Sequence, residues 1–205
     1  MVVQGLTWGN AGNLSARVDD ERFLITASGT RLGALEEGDF VLYPEPRPAD
    51  TTCHPSKEVP MHRAVYQTRP EANAVLHGAP FYSTLLACVK DEPPHNLFIE
   101  GLFVEAMYYL ERTARVPYHH PGSEALGEAV REGAKGANVL FLENHGVLVF
   151  DTSISEALIA LQALEFACRM VITARGAGVA LGGLPPSTIE DFLESGYKPR
   201  RRWPS

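Results

Sequence analysis

Asn138-Val-Leu-Phe-Leu-Glu-Asn-His-Gly-Val-Leu-Val-Phe150 is the stretch that decides how this chain is read. Two apolar runs, 138–143 and 147–150, flank a polar break at Asn144-His145-Gly146. Short apolar runs bounded by a turn signal read as buried strands. A histidine at the end of a buried strand, beside a glycine, suits core packing poorly. It suits a metal ion well, because the strand end fixes the direction of a neutral imidazole. Ala74-Val-Leu-His77-Gly78 repeats the arrangement upstream. Glu58, in the turn Pro55-Ser-Lys-Glu58, offers a carboxylate. His77, His145 and Glu58 therefore form a candidate metal site drawn from distant segments. The chain holds seven histidines, at 54, 62, 77, 95, 119, 120 and 145, so spacing alone leaves a structural role open.

Outward from that stretch, strands and helices alternate. Leu14–Val18, Arg22–Thr26 and Asp39–Tyr43 read as strands, and Ala74–Leu76 as a buried one. Pro44–His54 is a polar, proline-rich loop. Ser56 is placed to cap a helix that tolerates Pro60 and stops before Pro70. Further helices are expected over 81–89, 100–111 and from Gly122-Ser-Glu124 to Gly133, with a short strand at Arg115–Tyr118. Ser153-Ile-Ser-Glu156 is a capping box opening the longest helix, to Arg175, buried through Ala157, Leu158, Leu161, Leu164, Phe166, Cys168 and Val171. A last short helix spans Thr188–Glu194, and Met1–Leu6 reads as the final turn of a helix whose beginning is missing. The pattern predicts an α/β fold with helices covering a central sheet.

With 205 residues, 45% of them hydrophobic, one domain over 1–205 with a tail at 198–205 is expected. A net charge of −7 argues against nucleic acid as a partner, since phosphate backbones need a basic surface. The basic cluster Lys198-Pro-Arg-Arg-Arg202 reads as a solvated tail. Cys53, Cys88 and Cys168 form no CxxC pair and read as reduced thiols, the last two as core residues. No apolar stretch is expected to reach membrane-spanning length, and no signal-peptide layout is present. The expectation is a soluble cytoplasmic protein with no membrane partner.

Gly12-Asn13, Ser28-Gly29 and Ser56 each sit at a turn or helix start, where backbone N–H groups and small side chains admit an anion. Ordinary turn chemistry accounts for any one of them. Glu58 lies in the first helical turn and shares a face with His62, as either a surface ion pair or a general base beside the metal. Lys57 is a candidate for a substrate anion.

Gly12-Asn-Leu-Ser-Ala-Arg17, Ile25-Thr-Ala-Ser-Gly29, Pro55-Ser-Lys-Glu58 with His62 and Tyr66, Arg69-Pro-Glu-Ala-Asn-Ala-Val-Leu-His77, Val116-Pro-Tyr118, Pro121-Gly-Ser-Glu124 and Asn144-His-Gly-Val-Leu-Val149 occur in one order. In that order the chain resembles the class II aldolase/adducin family over roughly residues 5–175. The resemblance implies a three-layer α/β/α sandwich with a central mixed, largely antiparallel sheet. It implies Zn2+ or another divalent transition metal held by His77, His145 and Glu58. Glu58 would be the acid/base residue, joined by Tyr197 from the tail, with Tyr108 or Tyr109 as a looser match to a second tyrosine. Gly12, Asn13, Ser28, Gly29, Ser56 and Lys57 would hold a substrate phosphate. A homotetramer with active sites at subunit interfaces is implied as well.

The implied reaction is carbon–carbon cleavage of a small sugar phosphate, or a related hydroxy-keto compound, through a metal-stabilised enediolate. The chain departs from the family at two places. Its His77-Gly78-Ala79 lacks the second histidine of the usual His-x-His, with His119 or His120 as candidate replacements or solvated loop residues. Lys57 stands where serine is common. An epimerase, a dehydratase, a decarboxylase or a non-catalytic, adducin-like scaffold are the alternatives these departures raise.

Overall fold

The two apolar runs around His145 form neighbouring antiparallel strands, β6 (Val139–Leu142) and β7 (Gly146–Asp151). Every residue in both is buried, because successive side chains enter two covered faces. Leu140, Leu142, Leu148 and Phe150 join one core, and Val139, Phe141, Val147 and Val149 the other. The computed structural model describes residues 1–44, 53–90 and 99–196. Its remaining strands are β1 (Asn13–Arg17), β2 (Phe23–Thr26), β3 (Phe40–Tyr43), β4 (Ala74–Gly78) and β5 (Thr113–Val116). They form a seven-stranded sheet of order β3-β2-β1-β4-β7-β6-β5. All neighbours are antiparallel except β5 and β6.

Helices α1 (Val59–Thr68) and α4 (Glu124–Gly136) cover one face. Helices α2 (Phe81–Ala87), α3 (Val104–Leu110) and α5 (Ile154–Ala177) cover the other, and α6 (Pro186–Glu194) follows near the turn Ile99–Gly101. This is the three-layer sandwich with a mixed, largely antiparallel sheet that the sequence predicts.

Helix α5 begins where the capping residues place it: the Ser153 hydroxyl accepts the Glu156 N–H (3.1 Å). Gly178, in the left-handed region (φ 67°), closes it. Contrary to expectation, α5 is long and apolar enough to cross a membrane by length and composition, at 24 residues and a mean hydropathy of 1.6. Nine of its residues are buried, and it packs on β4, β7, α2 and α3, as a core helix does. Phe166, expected inside, is 57% exposed and meets Phe103 edge-on, because it falls off the stripe of Ala157, Leu161, Leu164, Cys168 and Val171.

Other differences are local. Cys88 is exposed at the end of α2 rather than in the core, while Cys168 is buried as expected. Residues 100–111 divide into a 3-10 turn and α3, and the strand expected at 115–118 lies at 113–116. Val2–Gln4 is a 3-10 turn closed by Gly5 instead of an α-helical end. Helix α1 starts at Val59, so Ser56 stands before it and accepts the Glu58 N–H (3.3 Å). The predicted loop falls partly, and Tyr197 and the tail wholly, outside the described residues.

Arg69 ties the α1–α4 layer to the sheet. Only 1% exposed, its guanidinium donates to Glu71 (2.6 Å) and to the carbonyls of Ala134 and Ala137 (3.0 and 3.2 Å), and it lies over the Phe150 ring. Replacing it with leucine leaves two buried carbonyls unpaired, so Arg69→Leu is expected to lower unfolding free energy by about 3 kcal/mol in urea titrations.

Candidate metal centre

Three segments meet at the end of β4. His77 is inside that strand, at 3% exposure, paired in register with Asn13 of β1 and Leu148 of β7. Glycines permit this approach. A β-carbon on Gly12 (φ +83°) would stand 2.5 Å from the His77 carbonyl oxygen, and one on Gly146 (φ +152°) 2.6 Å from that of Gly78. His145, in the turn between β6 and β7, thereby comes beside His77, with ring centroids 4.8 Å apart. Glu58 arrives from the start of α1. Its Oε1 is 3.0 Å from His145 Nε2 and its Oε2 3.4 Å from His77 Nε2.

The donor set fits a divalent ion. One ligand atom from each of Glu58, His77 and His145 lies within 4.8 Å of the others. On a tetrahedral zinc with bonds of about 2.1 Å, ligand atoms sit about 3.4 Å apart. His77 Nδ1 faces the Val147 carbonyl at 3.0 Å and must donate to it, so the neutral ring turns an unprotonated Nε2 toward Glu58. A nitrogen lone pair beside a carboxylate oxygen calls for a cation between them. Among the described residues, Glu58 Oε1 and His145 Nδ1 are buried without a hydrogen-bond partner. Two histidines and a carboxylate would leave one position open on a tetrahedral ion.

Electrostatics support the same assignment. Burial, the largest influence on Glu58, opposes its ionised form. Protonated His145 and His77, with the Asn13 hydrogen bond, would outweigh that and lower its pKa to about 2; with the imidazoles neutral, a cation at the centre takes their part. Burial pushes His77 below the usual histidine range and His62 down to about 3, so both imidazoles are neutral near pH 7. Neutral imidazole is the metal-binding form.

A cavity of about 440 Å³ opens over this cluster. Gly12, Asn13, Ser28, Gly29, Ser56 and Lys57 line it together with Glu58, His77, His145 and Ala79. Residues chosen from turns scattered over the sequence thus converge. Two details differ from expectation. The Ser28 and Ser56 amides are spent inside the fold, on the carbonyls of His54 (2.9 Å) and Thr26 (3.1 Å). The Asn13 side chain gives one amide N–H to Glu58 (2.7 Å) and accepts from His62 at its oxygen (2.5 Å), leaving only its second N–H for an anion.

His119 and His120 do not join the cluster. They lie half-buried and exposed on the loop after β5, and it is Pro121 that reaches the cavity. Tyr108 and Tyr109 meet edge-on in α3 and are not among the lining residues. His62 is fully buried, which rules out a surface ion pair, and meets Glu58 only through Asn13. Trp8, Asn10 and Thr30 also line the cavity and went unremarked in the sequence, where nothing sets them apart from ordinary turn residues.

The comparisons with known proteins agree with this geometry. The pattern of the class II aldolase and adducin N-terminal domain matches residues 1–172. The chain belongs to the class II aldolase/adducin family. The 3-oxo-tetronate 4-phosphate decarboxylase of Haemophilus influenzae is 33% identical over 176 residues, covering 84% of this chain and 82% of that protein. The crystal structure of YgbL from Klebsiella pneumoniae matches with a TM-score of 0.80 at 29% identity, over 92% of this chain and 90% of that one. L-fuculose 1-phosphate aldolase matches with a TM-score of 0.79 at 25% identity, over 95% and 89%.

A pH dependence follows for the metal-free protein. His62 and His77 accept protons readily when unfolded but not when folded. Their stabilising contribution is therefore complete above about pH 6.5 and is lost as pH falls toward the folded values. Glu58, also lowered, adds a loss in the same direction below its ordinary value of 4.5. Urea midpoints measured with chelator should fall from pH 7 to pH 4, at about 1 kcal/mol per pH unit or more. A flat profile would contradict buried neutral imidazoles.

Proposed function

We propose that this protein is a metal-dependent carbon–carbon lyase that decarboxylates a short, phosphorylated 3-oxo sugar acid. The observation that carries the reading is Lys57. It lines one cavity with the Glu58–His77–His145 centre and with the small turn residues around Ser28 and Ser56, within reach of an anion there. A substrate with a phosphate at one end and a carboxylate at the other suits a cavity that offers both an ammonium group and a hydroxyl-lined turn. The likeness to the Haemophilus influenzae decarboxylase, over most of both chains, supports the same substrate class.

A divalent ion at the centre supplies electron withdrawal from the oxygens of a hydroxy-keto unit. His77, His145 and Glu58 are the residues that would hold it. Glu58, the one carboxylate among the lining residues, would take a proton from solvent water and pass it to the carbon that has lost carbon dioxide, returning to its ionised form. The phosphate is met by the Ser28 and Ser56 hydroxyls, the second Asn13 amide N–H and the main chain at Gly12 and Gly29, since the Ser28 and Ser56 amides are engaged elsewhere. Lys57 orients the departing carboxylate. A role for Tyr197 as a second proton-transfer group rests on the family resemblance. The second reading is aldol cleavage of a ketose phosphate, which breaks an equivalent bond and leaves the electron pair on the same hydroxy-keto unit; the match to L-fuculose 1-phosphate aldolase favours it. Retention of all three converging ligands speaks against a purely structural role.

We further propose a homotetramer with sites at subunit interfaces. Trp8, a lining residue, is 68% exposed, and Phe81 and Tyr118, close in sequence to lining residues Ala79 and Pro121, are 69% and 55% exposed. Such apolar side chains beside a polar cavity favour a covering subunit.

The decisive assay supplies Zn2+-, Mn2+- or Co2+-loaded protein with a 3-oxo sugar acid phosphate and with ketose 1-phosphates, and follows carbon dioxide and triose phosphate. Carbon dioxide release from the acid is expected, and Lys57→Ala should lower kcat/KM about 10-fold to 100-fold, the worth of one charge-assisted hydrogen bond. Turnover of the ketose phosphates alone would establish the aldolase reading instead. His145→Ala should lose bound metal by elemental analysis.

A further inference from the structure

Behind the metal centre runs a buried chain of side chains that the proposed reaction does not use. Helix α1 carries His62 and Tyr66 on the stripe that begins with Glu58, and β1 carries Asn13, Ser15 and Arg17 on the strand face beneath. The contacts run Glu58–Asn13–His62–Ser15–Tyr66, at 2.7, 2.5, 2.7 and 2.8 Å. Ser15 and His62 are fully buried, and the Arg17 guanidinium covers the Tyr66 ring at 4.8 Å.

Every link has one permitted direction. An ionised carboxylate only accepts, so the Asn13 NH2 must face Glu58 Oε2. Asn13 Oδ1 is then left toward His62 and accepts from Nε2–H. Burial keeps His62 neutral, so its Nδ1 carries no proton and accepts from the Ser15 hydroxyl. Ser15 has one proton and gives it there, so the Tyr66 hydroxyl donates to Ser15 Oγ. Reversing any link would turn Asn13 Oδ1 against the Glu58 carboxylate.

We propose that Tyr66, Ser15 and His62 are positioning residues that lock the Asn13 amide with its NH2 on Glu58 and so aim the Glu58 oxygens at His77 and His145. The proposal rests on reading those three residues as a metal centre. The chain gives Glu58 a fixed orientation before metal or substrate enters. It does so from the closed side of the cavity, where neither can disturb it.

Two replacements of one residue separate this role from mere packing. His62→Gln places an amide NH2 near the position of Nε2–H and keeps the donor to Asn13. His62→Asn reaches only the position of Nδ1 and keeps the Ser15 contact alone. Co2+ affinity of the metal-free proteins, read from the cobalt absorption spectrum, is the measurement, with melting temperature alongside. His62→Asn should bind Co2+ about 10-fold to 100-fold more weakly and His62→Gln within about 3-fold of the unaltered protein, as expected for a partner that orients a metal ligand. Equal losses in both variants, or no loss in either, overturn the proposal. If neither variant folds, nitrogen-15 NMR of the histidines in the unaltered protein decides. A neutral His62 protonated on Nε2 from pH 5 to pH 8 supports the chain, and protonation on Nδ1 or a charged ring at pH 7 overturns it. Failure of the unaltered protein to bind Co2+ would sink the metal-centre reading, and the same NMR experiment would still judge the chain.

Discussion

A carboxylate buried at the junction of three strands and a helix is the constraint around which this molecule is arranged. Glu58 is 9% exposed and ionised, and an isolated charge in such a place is strongly disfavoured. Its surroundings answer that cost from two sides. Asn13 donates to one oxygen from within the fold, and two imidazole nitrogens stand near both oxygens on the cavity side. The first contact is permanent. The second would become strongly favourable only with a cation in the group, and a bound ion would then stabilise the folded chain.

Close packing of main chain against main chain is what allows His77 and His145 to reach that carboxylate. β1, β4 and β7 are adjacent in the sheet, and their ends narrow at Gly12, Gly78 and Gly146. The left-handed φ at Gly12 and the unusual φ at Gly146 place carbonyl oxygens where any side chain would collide. The ligands can be rigid because the glycines beside them bear no side chain. A centre built this way takes its geometry from one strand, the short turn between two buried strands and the start of a packed helix, which suits a site that orients a small substrate.

Much of this was legible from residue order. Strands on either side of His145 follow from two apolar runs, and burial on both faces explains why those runs show no alternation. Glu58, His77 and His145 could be singled out because imidazoles at strand ends have little other use. The roles of Ser28, Ser56 and Asn13 were less legible. A turn signal marks where amides may be exposed, but tertiary pairing decides which are already spent, and the carbonyls of His54 and Thr26 take two of them. The chain through His62 and Ser15 was in view as a period of four on a helix and of two on a strand. Its meaning depended on which strand lies beneath which helix, and that is set by sheet order, not by local pattern. Cys88 and Phe166 were misplaced for the related reason that apolar spacing fixes a helix face only where another layer covers it.

Ala79 gives the site its individual character. It lines the cavity two residues beyond His77, where the family's usual pattern has a second histidine, and no described histidine takes its place. One nitrogen fewer weakens the hold on a metal but frees both space and a coordination position. The deeper anchoring of Glu58 by Asn13 then takes on added weight. With fewer groups to define an ion's position, the direction of each remaining one would matter more, and the carboxylate, carried at the start of α1, depends on Asn13 for its direction.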